Sequence, residues 1–169
     1  DFVEPWTYCN AQNCGQDAAD GAEIVVCGVV QSHCLRGVNG QVGNDNTFSH
    51  KVILAGECAI MNNVNLGSGS MVHQKTVIGS NSMVGMGSVL TKDVFPYLIV
   101  CGNPAKFHKI NTHRLKGYRW SSDNDSNKIK FKELITKKSE EIIHDIREFH
   151  KYSGKRGKQR VIYYEEGLN

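Results

Sequence analysis

The middle of this chain reads as a β-solenoid, on the strength of a six-residue apolar period and a run of small residues that keeps the same period four places later. The apolar positions are Val42, Phe48, Leu54, Ile60, Leu66, Val72, Ile78, Val84 and Leu90. The series extends back through Val30 to Ile24, with one misfit at Arg36. The second series is Gly28, Cys34, Gly40, Asn46, Val52, Cys58, Val64, Ser70, Thr76, Ser82, Ser88 and Val94. An α-helix repeats at about 3.6 residues and a strand at about 2, so neither alone makes a period of six. One short strand plus one turn per unit does, and coiling such units buries the large residue of each in a continuous core.

If three units close one triangular coil, residues 24–95 hold four coils. That is short for a free-standing solenoid. The flat sides of a prism favour association, so a threefold homo-oligomer burying one side per subunit is expected.

Residues 1–23 do not fit the period. Phe2, Trp6 and Tyr8 are apolar but out of phase. They are expected to cap the open end, where strand edges are otherwise exposed. The irregular start also leaves open that further coils precede it. The β-helix is taken to run over 24–100. Around its end, Pro96 and Gly102 punctuate the stretch 96–104, where the period is lost. Residues 101–169 are expected to be a linker and a helical C-terminal region. The polar run 121–127 suits a helix cap. A single helix over about 128–152 carries Phe131, Leu134, Ile135, Ile142, Ile146 and Phe149 at three-to-four spacing. A basic, glycine-containing tail follows over 153–160, then one short strand over 160–164.

The net charge of +3 hides an asymmetry. Residues 1–100 carry 4 Lys+Arg against 8 Asp+Glu, whereas residues 101–169 carry 16 against 9. The basic tail has no interleaved aromatics or motif that would mark a nucleic-acid binder. No apolar run is long enough to span a bilayer and no signal-peptide pattern is present, so a cytoplasmic protein is expected. Of the 6 cysteines, Cys27, Cys34 and Cys58 fall inside the repeat and read as reduced and structural. Cys9 and Cys14, separated by four residues, are the candidate metal or disulfide pair, although the second pair usual in a metal site is missing.

The hexads resemble those of left-handed parallel β-helix acyltransferases. The stretch from Leu54 to Asn111 is similar to the UDP-N-acetylglucosamine acyltransferase family and its sugar-nucleotide acyltransferase relatives. The matching pieces are Gly43-Asn44-Asp45-Asn46, Leu54-Ala55-Gly56, Val72-His73-Gln74, Met83-Val84-Gly85, Asp93-Val94-Phe95-Pro96-Tyr97 and Gly102-Asn103-Pro104-Ala105-Lys106. Asn111 and the run Leu115-Lys116-Gly117-Tyr118 match the family's junction into its helical region. Hexads alone imply only the coil. The Asp-Val-x-Pro-Tyr and Gly-Asn-Pro-Ala-Lys pieces, in that order, are far more specific. The resemblance covers roughly residues 42–118. It implies left-handed coiling, a homotrimer with active sites between adjacent solenoids, an acyl-CoA or acyl carrier protein donor, and a nucleotide-linked sugar acceptor.

The chain departs from that family at two places. The family's general base is a histidine in a His-Asp-Cys context. The nearest local match here is Gly56-Glu57-Cys58, and the alignment that keeps Leu-Ala-Gly fixed puts Val38 at the base position. The family's arginine pair at the helical junction is replaced by Lys116.

Acyl transfer from a thioester needs a base, an oxyanion donor and a groove that aligns the donor arm. The candidates for acid–base work are His50, His73 and Glu57. His33 lies 17 residues before His50, about one coil away, and the two are expected to stack. Glu57 lies 16 residues before His73, again about one coil, where a carboxylate would fix the imidazole tautomer. His33, Gln74 and Asn63 are the candidate substrate contacts. Gly85 and Gly87 leave room for a pantetheine arm. Lys92, Asn103, Lys106 and Arg114, with His108 and Lys109 beside them, are the candidate donor or nucleotide contacts. Each has a plainer reading: solvated histidines, ordinary turn glycines, a solvated basic face. No metal is expected, because His33, His50 and His73 fall on two faces and lack the close histidine pair of the γ-class carbonic anhydrases.

An amine acceptor is favoured, since an amine free near neutrality needs positioning more than a base. The alternatives are an O-acyltransferase of the lipid A type and a non-catalytic trimeric solenoid that binds a sugar nucleotide.

Overall fold

The computed structural model describes residues 8–9, 28–30, 35–36, 40–137, 139–155 and 160–164, with side chains described only from residue 40 and not for 154–155. Strands β1 (Tyr8–Cys9), β2 (Gly28–Val30), β3 (Leu35–Arg36), β4 (Gln41–Val42), β5 (Asn46–Phe48), β6 (Ile53–Leu54), β7 (Ala59–Ile60) and β8 (Asn65–Leu66) come first. They are followed by β9 (Met71–Val72), β10 (Val77–Ile78), β11 (Met83–Val84), β12 (Val89–Leu90), β13 (Asp93–Val94), β14 (Leu98–Gly102) and β15 (Ala105–Ile110). Helices α1 (Asn124–Thr136) and α2 (Glu140–Lys155) and strand β16 (Val161–Ile162) complete the order.

These strands stack into three sheets, ordered β1-β2-β5-β8-β11-β14-β15, β16-β13-β10-β7-β4 and β12-β9-β6-β3. Every third strand pairs, in parallel, with Gly28 opposite Asn46, Thr47 opposite Asn65 and Asn65 opposite Met83. One coil is therefore three hexads. The apolar column of the sequence is the core: Phe48, Leu54, Ile60, Leu66, Val72, Ile78, Val84 and Leu90 are all buried. The column of small residues from Asn46 to Val94 is buried as well.

From Val42 to Gly87 each corner turns through one residue in the left-handed region, three places after the apolar one. Asp45, Asn63 and Asn81 form one corner column, with φ of 56°, 56° and 62°. Asn and Asp adopt this region more readily than other side chains do. Gly87 takes the same role at a second corner, with φ of 65° and open space where a Cβ would point. At the third corner Glu57 and Lys75 occupy the position, with φ of 59° and 63°.

The period breaks earlier than the sequence suggests. The last coil pairs Ile78 with Val94 and Val84 with Val100, a step of 16 rather than 18. Two residues are lost between Leu90 and Val94. Stretch 96–104 does not end the ladder, because β14 continues it. The shortened corner removes a carbonyl from the ladder, and the Asp93 carboxylate stands in for it: Oδ1 accepts from the Val77 N–H at 2.8 Å. Its Oδ2 accepts from the Ser153 hydroxyl of α2 at 2.7 Å.

Beyond the last coil, β15 folds back antiparallel on β14, so residues 105–110 are strand. Asp123 caps α1, with its carboxylate accepting from the backbone of Asp125 and Ser126. The expected single helix over 128–152 is two helices. The phase of the apolar residues runs through the break, which hides it in the sequence. Phe131 of α1 and Phe149 of α2 are both fully buried. The strand expected over 160–164 is β16, parallel to β13. At the other end, β1 pairs antiparallel with β2; the rest of the cap expected over 1–23 lies outside the described residues.

Leu66 sits in the middle of the stack at 0% exposure. Leu66→Ala is expected to cost about 2–5 kcal/mol, read from the midpoint of denaturant unfolding, because stacked neighbours on two sides restrict collapse into the void.

Candidate functional site

The corner column Asp45–Asn63–Asn81 ends at Tyr97, which is itself in the left-handed region with φ of 62°. Its ring packs against Phe131 with centroids 6.1 Å apart. Its hydroxyl donates to Asp145 Oδ2 of α2 at 2.7 Å, and Asn81 Nδ2 donates to the same oxygen at 2.9 Å. Burial, then the hydrogen bond to Asp145 and the negative charge of that carboxylate, hold the Tyr97 phenol above its ordinary range. Asn111 extends the column, donating from Nδ2 to the Asn81 carbonyl at 2.8 Å.

This column forms one wall of a cleft of about 350 Å3, closed by the junction and α2. Asn63, Asn81 and Tyr97 face Arg114, Lys116 and Tyr118 there. Two cations, two amides and two phenol rings suit a phosphate and a planar base, and the Glu141 carboxylate on the α2 side offsets part of the positive charge. Asn63 and Arg114, assigned separately from the sequence, are thus brought together. Tyr97, Asn81 and Asp145 were missed. The signal was present for one of them, since Asn81 lies three hexads after Asn63 and so one coil above it.

The other candidates disperse. His50 is exposed at a corner, and its carbonyl accepts from the Gly69 N–H. His33 lies outside the described residues. His73 is exposed at the end of β9, with Nδ1 3.1 Å from the Gln74 carbonyl. Gln74 is exposed beside it. Glu57 does not pair with His73. A coil is two residues longer than the spacing between them, so the neighbour of Glu57 is Lys75, with Oε2 and Nζ 3.9 Å apart. Both side chains are more than half exposed, so the pair contributes little stability.

A Cβ on Gly85 would come 2.9 Å from Cys101 Cβ. That side of Gly85 is filled by the chain's own hairpin, which explains the glycine without a ligand. Gly87 is a corner glycine. Lys92 is half-buried after β12, Asn103 is exposed in the β14–β15 turn and Lys106 is exposed on β15 opposite Cys101. Lys106 and Arg114 stand toward opposite ends of β15, a strand of about 20 Å at its ordinary rise, so they do not form one basic patch. Cys58 is buried, its thiol donating toward the Ala55 carbonyl at 3.0 Å. Among the described residues no group of three or more His, Cys, Asp or Glu is placed to hold a metal. Among them, too, no helix is long and apolar enough to cross a membrane.

These features define a hexapeptide-repeat solenoid of the left-handed parallel β-helix type with a helical C-terminal cap. An Arabidopsis UDP-N-acetylglucosamine acyltransferase shares the fold at a TM-score of 0.57 and 18% identity, over 83% of this chain and 65% of that one. In sequence, the chain is 38% identical over 76 residues to an acyl-carrier-protein-dependent UDP-N-acetylglucosamine O-acyltransferase of Alkalilimnicola ehrlichii, covering 45% of this chain and 30% of the relative. It is 34% identical over 107 residues to the enzyme of the same name from Helicobacter pylori, covering 63% and 35%. The chain thus spans about a third of the length of these relatives. No protein-family model matches it.

A group whose folded pKa is raised stabilises the fold fully below its unfolded pKa and loses that contribution as pH climbs. Stability is therefore expected to fall above about pH 10, and Tyr97→Phe is expected to flatten that fall. At pH 7 the same variant is expected to be about 1 kcal/mol less stable from the lost hydrogen bond. Unfolding midpoints of both proteins across pH 7–11 check the two effects.

Proposed function

We propose that this chain is an acyltransferase that moves an acyl group from an acyl thioester to a nucleotide-linked sugar. The observation that carries the reading is the 34–38% identity to UDP-N-acetylglucosamine O-acyltransferases. The cleft holding Asn63 and Arg114 supports it as the place for the nucleotide diphosphate. The acceptor attacks the thioester carbonyl carbon, the C–S bond breaks, and the thiol of CoA or of the acyl carrier protein leaves. The acceptor's proton passes to His73 or to water, which returns one to the departing thiolate sulfur, so that the free thiol is released.

An amine acceptor is favoured here, because no histidine stands where the resemblance expects a base and Glu57 is held by Lys75 rather than by an imidazole. The hydroxyl acceptor in the names of the relatives is the second reading. Acyl thioesters and sugar nucleotides are cytoplasmic metabolites, which puts the reaction in that compartment.

The assembly proposed for this activity is a homotrimer. Ile53, Met71 and Val89 lie directly opposite one another in successive coils. They point outward from the sheet β12-β9-β6-β3, and Met71 is 45% exposed. An apolar ladder on a flat face suits burial against another copy. It would also place His73, the second residue after Met71, in the groove between subunits.

Thiol release from acetyl-CoA and from longer acyl-carrier-protein donors, measured with paired amino and hydroxyl sugar nucleotides, tests the reaction. Turnover with an amine acceptor is expected, and Arg114→Ala is expected to raise KM about tenfold with kcat little changed. Turnover confined to hydroxyl acceptors would remove the amine reading, and no release with any pair would remove the activity. For the assembly, light scattering is expected to show three chains for the parent and one for Met71→Asp.

A further inference from the structure

A second cleft, of about 480 Å3, opens between α2 and the outer face of the sheet containing β4, β7 and β10. Ala59 and Met61 line its floor. Its wall is one stripe of α2, since Glu148 and Tyr152 are four residues apart and share a helix face. Asp145 also lines it.

The lining chemistry is one-sided. Asp145 uses Oδ2 for Tyr97 and Asn81, while Oδ1 has no donor among the described residues. Glu148 Oε2 is 3.5 Å from Lys151 Nζ, at the edge of hydrogen-bond range. No Lys or Arg is among the described residues lining the cleft, and His144 is the one basic side chain that does. Independently of the carboxylates, Ser80 lines the cleft at 1% exposure, and its hydroxyl has no hydrogen-bond partner among the described residues. Buried hydroxyls are ordinarily paired, so an orphan at the wall of a cavity points to a polar group that enters it.

We infer that this cleft binds a small organic cation, an ammonium group attached to a compact uncharged body. The ammonium meets Asp145 Oδ1 and Glu148, a hydroxyl or amine of the body reaches Ser80 Oγ, and the apolar side of the body covers Ala59 and Met61. An anionic ligand is disfavoured by the two carboxylates. The site is separate from the Asn63–Arg114 cleft, and the inference does not depend on the chain's being an acyltransferase.

Calorimetric titration of the full chain at fixed ionic strength tests it, with glucosamine and 4-amino-1-butanol as probes. N-acetylglucosamine and 1,4-butanediol serve as their uncharged counterparts. Saturable binding of one amine per chain is expected for at least one probe, about tenfold tighter than its uncharged counterpart. Glu148→Gln is expected to weaken it about tenfold at an unchanged melting temperature. Ser80→Ala is expected to weaken it several-fold while leaving stability equal or higher, because it removes an unpaired buried hydroxyl. Absence of saturable binding by both amines, equal binding of the uncharged counterparts, or unaltered binding in both variants would overturn the site. Loss of stability in Ser80→Ala would show a structural partner for the hydroxyl and would overturn the argument from it.

Discussion

Closure of each coil at three hexads is the constraint on which the rest of the structure depends. It arises because each corner spends one residue in the left-handed region and each side contributes one short strand. Once the count is fixed, every residue stacks on its counterpart one coil away. The apolar column becomes a core, and the Asp45–Asn63–Asn81 column becomes a line of similar turns. Where the chain deletes two residues, it supplies a replacement acceptor in Asp93.

The helical cap is attached through both polar and apolar contacts, with Tyr97 packed on Phe131 among the latter. Asp93 accepts from Ser153, and Asp145 accepts from Tyr97 and Asn81. Between them Phe95 packs edge-on to Phe149, with ring centroids 5.7 Å apart. The Asp-Val-Phe-Pro-Tyr run is therefore the fastening between solenoid and cap. Its first and last residues make the hydrogen bonds and its phenylalanine makes the packing contact. Both clefts exist because of this attachment, since α2 forms a wall of each.

The repeat was legible because it has one period and one rule, and buried residues such as Leu66, Ile78 and Ser82 follow it. Local signals were legible too, as at the Asp123 cap. What the sequence hid were departures from the period. The two-residue loss after Leu90 leaves Val94 in phase with the small column, so the ladder's shorter last step carries no mark. The break between α1 and α2 keeps the apolar phase and looks continuous. Glu57 was set beside His73 by a spacing two residues short of a coil, whereas the true closure places it beside Lys75. The clefts were illegible for another reason: each joins a solenoid face to a helix far along the chain, as with Asn81 and Asp145, whose positions differ by 64.

The fastening of the last coil has a consequence for how the molecule comes apart. In a solenoid each coil touches only its neighbours, so opening spreads inward from whichever end is less firmly held. At the C-terminal end, β16, the β14–β15 hairpin and two helices must all detach before Val94 or Val100 can exchange its amide hydrogen. The cap therefore shields the amides of the last coil from exchange until it has itself come away. Under tension, too, the last coil can be pulled from the stack only after the helices and the hairpin have been drawn off it.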